Sequence, residues 1–295
     1  MDILISGGTG FIGTPLVDSL LEQGHAVTIL TRQQGLPSRA RVRYIHDVTA
    51  IGDDAIVDAI INLAGASLAA KRWTSAYKEE LLQSRLRTTE QLVALCARLQ
   101  RPPAVVLSAS AIGFYGQQSD NALDETSETV PGFAQSLCQQ WEDSAARVAD
   151  SGARVCMMRF GVVLGPEGGA LAEMARPFRM GIANWVGSGE QYLSWVHRQD
   201  VIAAIQFLLV NASLEGPFNV TAPNPVTSRE FCAALKKRFR TLLTLPVPGF
   251  VMRTLLGEMA DELLINGQRV VPARLQSAGF TFAYPQLDDA LADIL

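Results

Sequence analysis

The chain has 295 residues, 48% of them hydrophobic and 18% charged, with a formal net charge of −4. That length supports one large domain, or one and a half, with a sizeable core, and the composition is that of an ordinary globular protein. A net-negative chain in which no Lys/Arg block stands out is not expected to bind nucleic acid or anionic membrane. The four cysteines, Cys96, Cys138, Cys156 and Cys232, are far apart and form no CxxC pair, so no metal site or disulfide framework is expected and the thiols should be reduced. The start, MDILISGGTG, has no basic leader segment, and no apolar run reaches the roughly 18 residues that span a bilayer. A soluble, cytoplasmic protein is expected.

In chain order, strand patterns fall at 3–6, 26–30, 42–46, 59–65, 104–110 and 153–161. Most are near-continuous apolar runs, as in strands buried on both faces of a parallel sheet. Helical patterns lie between them. Residues 14–23 place Leu16, Leu20 and Leu21 on one face and stop at Gly24. Residues 74–99 make one long helix or two, and 133–150 another. This alternation predicts an α/β fold, a doubly wound parallel sheet of the Rossmann type. From about residue 166 the rhythm breaks into Gly/Pro-rich turns. One amphipathic unit follows at 197–212, a short strand at 216–223, and helical patterns at 228–240 and 247–264. The expected division is a nucleotide-binding domain over 1–165 plus 196–222, and a smaller substrate lobe over 166–195 plus 223–295.

The first strand runs into GGTGFIG, with glycines at Gly7, Gly10 and Gly13, and then into a helix. Gly7 allows a tight turn, Gly10 lets the backbone approach a diphosphate, and Gly13 lets helix and strand pack closely. The helix N-terminus then turns its free N–H groups on the phosphates. At the end of the second strand, where an NAD site would carry an acidic residue, stand Thr31 and Arg32. A guanidinium there suits a ribose 2′-phosphate, so the expected cofactor is NADP(H).

With GGTGFIG, INLAGAS (61–67), LSASAIGFYG (107–116), RFGVVLGP (159–166), WVHRQDV (195–201) and GPFNVTAP (216–223) in order, the chain resembles the extended short-chain dehydrogenase/reductases over essentially its whole length. AAKRWT (69–74), SRLRTTEQL (84–92), FAQSLCQQWE (133–142) and GSGEQYLSWVH (187–197) are similar to a narrower group, the atypical epimerase-family proteins of the 39U type. The resemblance implies a sheet of about seven strands, a C-terminal substrate lobe, a small-molecule substrate of the nucleotide-sugar or carbonyl class, and a homodimer. It also implies cofactor contacts from the glycine loop with Phe11 and Ile12, from Thr31 and Arg32, from Leu63 and Ala64, from Glu80 and Arg85, and from Val162.

The superfamily's chemistry uses Tyr-x-x-x-Lys and a serine at the end of the fifth strand. Ser110 fits the serine, with Ser108 in reserve on the same face. No Tyr-x-x-x-Lys occurs: the residues four after Tyr44, Tyr77, Tyr115, Tyr192 and Tyr284 are Val48, Leu81, Ser119, Val196 and Asp288. The helix at 133 offers Phe133 and Leu137, or in the alternative register Ala134 and Cys138. Tyr115 is the candidate replacement acid/base, with Lys71 and Arg72 as nearby cations and Cys138 as a third option. His197 and Asp200 are expected to organise the approach of the C-terminal lobe. Arg176 and Arg179 are expected either to clamp an anionic substrate group or to face solvent. Two functions remain: an NADP(H)-dependent oxidoreductase or nucleotide-sugar epimerase with altered acid/base groups, or a non-catalytic NADP(H)-binding regulator or redox-state sensor acting through a protein partner.

Overall fold

The computed structural model describes residues 1–118 and 120–295. Seven strands form one sheet: β1 (Asp2–Ser6), β2 (Ala26–Leu30), β3 (Val42–Ile45), β4 (Ala59–Asn62), β5 (Val105–Ala111), β6 (Arg154–Phe160) and β7 (Gly216–Val220). Their order is β7-β6-β5-β4-β1-β2-β3, and every neighbouring pair is parallel. The order reverses between β1 and β4, which opens a crevice at the carboxyl ends of those two strands.

Alternate residues of each strand feed opposite faces. Ile3, Ile5, Ile61 and Leu107 join α1 (Gly13–Glu22) and α5 (Arg198–Val210) through Leu16, Leu20, Val201 and Ile205. Leu4, Ile60 and Val106 meet Leu92, Leu95 and Cys96 of α2 (Ser75–Arg98) on the other face. Both faces are therefore covered, which is why these strands read as unbroken apolar runs. α2 is a single helix whose Thr74 cap accepts from the Tyr77 N–H. A third cluster packs α4 (Gly169–Arg179), α6 (Ser228–Lys236) and the last helix, Leu287–Ile294, around the buried Trp195.

The structure differs from the sequence expectation at α4, which stands where only Gly/Pro-rich turns are expected, and where elements end. β4 stops at Asn62 rather than 65, because the next residues leave the ladder to lie against the glycine loop: a Cβ on Gly7 would sit 2.8 Å from the Leu63 carbonyl. α3 (Phe133–Ala146) gives way to a 3₁₀ segment, Arg147–Ser151. α6 ends at Lys236, after which the chain turns so that the Leu242 N–H reaches the Gly181 carbonyl at 2.8 Å. The pattern at 247–264 is not one helix. α7 (Gly249–Leu256) is broken by Gly257, whose φ of +64° lies outside the range of a right-handed helix.

Candidate functional site

The crevice begins at the glycine loop. Gly7 has φ +74°, and the Gly10 N–H closes the turn onto the Gly7 carbonyl at 3.0 Å. A Cβ on Gly13 would collide with the Gly7 carbonyl and the Gly8 backbone, so α1 starts in direct backbone contact with the loop. No side chain caps the N-terminus of α1 and no acidic residue occupies its first turn. That leaves a positive helix end with unspent N–H groups, which suits a phosphate. Gly10 meets only the Gly7 carbonyl, 3.2 Å from its would-be Cβ, so its other side is open to a close ligand. Ile12 stands at the N-cap of α1. The Phe11 ring turns away into a slot lined by Gly165, Gly168 and Gly169, with the Arg198 guanidinium 4.8 Å from its centroid. The ring tethers the loop, and its backbone stays at the crevice. Neither the slot nor Arg198 was foreseen from the sequence, where the three glycines had read only as turns.

At the end of β2, Thr31 is buried and its N–H donates to the Ile45 carbonyl at 2.9 Å, while Arg32 is exposed. Leu63 and Ala64 lie against Gly7, and the Ala64 N–H donates to Ser6 Oγ at 3.3 Å. Val162 leaves the sheet in a short strand parallel to Trp195–His197, its N–H donating to the Ser194 carbonyl.

Glu80 and Arg85, paired by the resemblance, have different surroundings. Glu80 is a surface residue held by Lys71 at 3.0 Å. Arg85 is 7% exposed; it donates to the Leu81 and Ala66 carbonyls at 2.9 and 3.1 Å and lies 5.0 Å from the Trp141 ring. Among the described residues no carboxylate pairs with it, and its Nε has no partner. Burial pulls its pKa below the ordinary value. It underlies the loop after β4, 3.0 Å from where a Gly65 Cβ would stand.

Ser110 stands near the end of β5, as expected, but Tyr115 points elsewhere. Tyr115 was expected to turn into the cleft. It is instead 0% exposed, donating to Asn219 Oδ1 at 2.7 Å and accepting from Arg159 Nη1 at 3.0 Å. Burial pushes its pKa up to about 12, with Arg159 opposing. Ser110 is 2% exposed and donates to Glu142 Oε1 at 2.6 Å. Glu142 in turn takes a two-pronged contact from Arg159, 2.9 Å from Nε and 2.8 Å from Nη2. Asn219 continues the chain of bonds to Glu125 and the Val271 carbonyl. Ser110 and Tyr115 are thus two ends of one buried network joining β5, α3, β6 and β7. Ser108 belongs to a second network with Asn62, Ser6 and Thr89, closed by the Trp141 Nε1–H on Thr89.

The other candidate groups are also engaged by the protein. Lys71 is spent on Glu80 at the surface, and Arg72 lies against Gly257. Cys138 is buried, its pKa raised to about 12 by desolvation and Glu142. Phe133 packs edge-on to Trp73 at 5.0 Å with the Lys78 ammonium 4.8 Å from its centroid, and Leu137 is buried beside them. Lys78 also pairs with Glu258. The N-terminus of α3 is capped from far along the chain: Glu262 accepts from the Phe133 and Ala134 N–H groups at 3.2 Å. His197 is buried, caps α5 by accepting from the Gln199 N–H, and stacks on Tyr284 at 4.0 Å. Asp200 accepts from the Ala283 and Tyr284 N–H groups. Both hold the C-terminal segment. Arg176 and Arg179 face solvent. No group of His, Cys, Asp and Glu that could hold a metal occurs among the described residues.

Residues 3–221 match the NAD dependent epimerase/dehydratase family, and residues 247–294 match a domain of unknown function, DUF1731. An epimerase family protein of Mycobacterium bovis is 37% identical across 98% of this chain and 96% of its own. One of Staphylococcus aureus is 37% identical across 99% and 98%. The human epimerase family protein SDR39U1, solved with NADPH, superposes with a TM-score of 0.89 at 32% identity, covering 100% of this chain and 99% of that one. The chain therefore belongs to the NAD dependent epimerase/dehydratase family, as an epimerase family protein of the 39U type.

Proposed function

We propose that the chain binds NADP(H) across the carboxyl ends of β1, β2 and β4 and holds it without turnover, as a redox-state sensor acting through a protein partner. The observation that carries this reading is the closure of Ser110 and Tyr115, whose hydroxyls are both buried and spent on protein partners. A bound nicotinamide would supply or accept a hydride, and the oxygen on the reacting carbon then needs a proton donor or acceptor within about 3.2 Å. Phe133 has no proton to give, and Cys138 keeps its own.

The cofactor reading rests on separate features: the tight glycine loop, the uncapped end of α1, and the exposed Arg32 beside buried Thr31. Arg32 would take the 2′-phosphate. Arg85 would supply a buried positive charge under the loop after β4, with Leu63, Ala64 and Val162 lining the crevice. NADPH in the human relative supports the same choice.

One contact favours the oxidoreductase or epimerase reading. The 2.6 Å bond from Ser110 to a carboxylate held by Arg159 is a route by which the serine could pass on a proton. The two readings separate in one experiment. The protein is saturated with one equivalent of NADPH and offered a panel of carbonyl compounds and nucleotide sugars. Constant nicotinamide absorbance supports the binding role only together with unchanged substrates, read by chromatography with NADP+ as well as NADPH bound, because an epimerase returns the hydride it takes and leaves no net absorbance change. NADPH oxidation that disappears in Ser110→Ala ends it in favour of the enzyme.

A further inference from the structure

Two segments distant in sequence meet on the surface of the C-terminal lobe. Leu243–Thr244 pairs as a strand with Ile182–Ala183, and the Leu243 N–H reaches the Gly181 carbonyl at 3.2 Å. Residues 174–186 hold two arginines and residues 231–257 hold five Lys/Arg, and neither segment contains Asp or Glu. The chain as a whole carries −4, so the fold gathers cations here. Some are answered from outside: Asp288 pairs with Lys237 and Asp261 with Arg253. Arg179, Lys236 and Arg240 have no carboxylate within reach among the described residues, Lys236 donating only to the Thr244 hydroxyl.

The same face is apolar. Leu242 is 83% exposed and Met180 73%, and Leu243, Leu245 and Phe250 are each more than half exposed. α7, which begins at Gly249, buries none of its residues. Five large apolar side chains exposed on neighbouring segments mark an interaction surface. Its charge selects the occupant. Pairing with a second copy of the same face would bring the cations against one another, since a two-fold interface sets a patch on itself. An anionic partner gains from them. The bulky side chains stand at the end of α4 (Met180), just before, on and just after an edge strand (Leu242, Leu243, Leu245) and at the start of α7 (Phe250), flanked by Lys and Arg. In that arrangement apolar tips enter the boundary between headgroups and acyl chains while cations meet phosphates.

We propose that this face docks peripherally on an anionic lipid bilayer. No helix among the described residues is long and apolar enough to cross a membrane, so the contact is superficial. It revises the sequence expectation against anionic membranes, which rested on net charge and on no Lys/Arg block standing out, and so passed over KKRFR at 236–240. The proposal is independent of the cofactor reading.

The full-length protein is sedimented with vesicles of phosphatidylcholine alone and of equimolar phosphatidylcholine and phosphatidylglycerol. The expected result is binding to the mixed vesicles only, weakened by salt. Leu242→Ser with Phe250→Ser should abolish it, and each of Arg179→Glu and Arg240→Glu should weaken it by about fivefold or more. Unchanged circular dichroism and urea midpoints verify that the variants are folded. Failure to bind mixed vesicles, or binding that the substitutions leave untouched, overturns the proposal. So does a dimer in light scattering that Leu242→Ser with Phe250→Ser converts to monomer. Binding of soluble polyglutamate without binding of vesicles would assign the face to an acidic protein and reject the bilayer.

Discussion

Arg85 carries a charge into the protein that no carboxylate among the described residues meets, and its Nε has no partner among them. Such a group costs stability unless a ligand uses it. Arg85→Met is therefore expected to leave the ligand-free protein as stable as before or more so, while weakening NADPH binding by roughly 10- to 100-fold. Denaturant unfolding and a binding titration on the same variant check both halves. A structural arginine would instead lose stability and keep its affinity. Tyr115 should show the opposite behaviour. Tyr115→Phe leaves Asn219 Oδ1 and Arg159 Nη1 each short of a partner, and is expected to cost about 1–3 kcal/mol with NADPH affinity unchanged. A large drop in turnover at unchanged stability would return Tyr115 to the catalytic list. Ser110 and Tyr115 are singled out by their places at and just after the end of the fifth strand, but their partners are not. The available signals were Arg159 inside the apolar run of β6 and Glu142 beside Trp141, both charges at positions where a core residue belongs.

At the scale of elements, periodicity found the seven strands of the sheet and the helices that cover it, because burial on two sheet faces imposes it, but not α4, which reads as turns in the sequence. It missed their ends. β4 is cut short by the glycine loop, and α3 is capped by Glu262, a residue 129 positions from Phe133. Such contacts are invisible to any local window. The C-terminal segment is also fixed at α5, where His197 is buried against Tyr284 with Asp293, Asp200 and Arg198 around it. Burial, supported by Arg198 and opposed by Asp293 and Asp200, holds the folded pKa of His197 below its ordinary value. As the pH falls through the unfolded value of about 6.5, the unfolded chain takes up a proton that the folded chain refuses. Stability is thus full above neutrality and declines in the acid range. Asp200, whose pKa burial raises, adds an opposite slope, but only further down in the carboxylate range. Urea midpoints between pH 7.5 and 5.5 should fall more for the parent than for His197→Gln, and parallel curves would remove His197 from the account.

For the whole molecule, strand–helix alternation gave the parallel sheet but not its order. Only the order, with its reversal between β1 and β4, brings the glycine loop, Arg32 and the loop after β4 to one crevice. Charge shows the same limit, since a composition of −4 conceals a cationic face that two separate segments assemble. A ligand that binds the assembled crevice, and not the unfolded chain, stabilises the whole fold. At a concentration 100 times its dissociation constant that amounts to about 2.7 kcal/mol, or a rise in Tm of roughly 5 °C for a chain of this size. NADPH should produce that shift, and NADH at the same concentration a smaller one, because only NADPH carries the 2′-phosphate that Arg32 is proposed to take. Arg32→Ala should bring the NADPH curve down onto the NADH curve and leave the NADH curve where it was. If the two cofactors shift the parent protein equally, Arg32 is a solvated surface residue and the preference for NADP(H) falls with it.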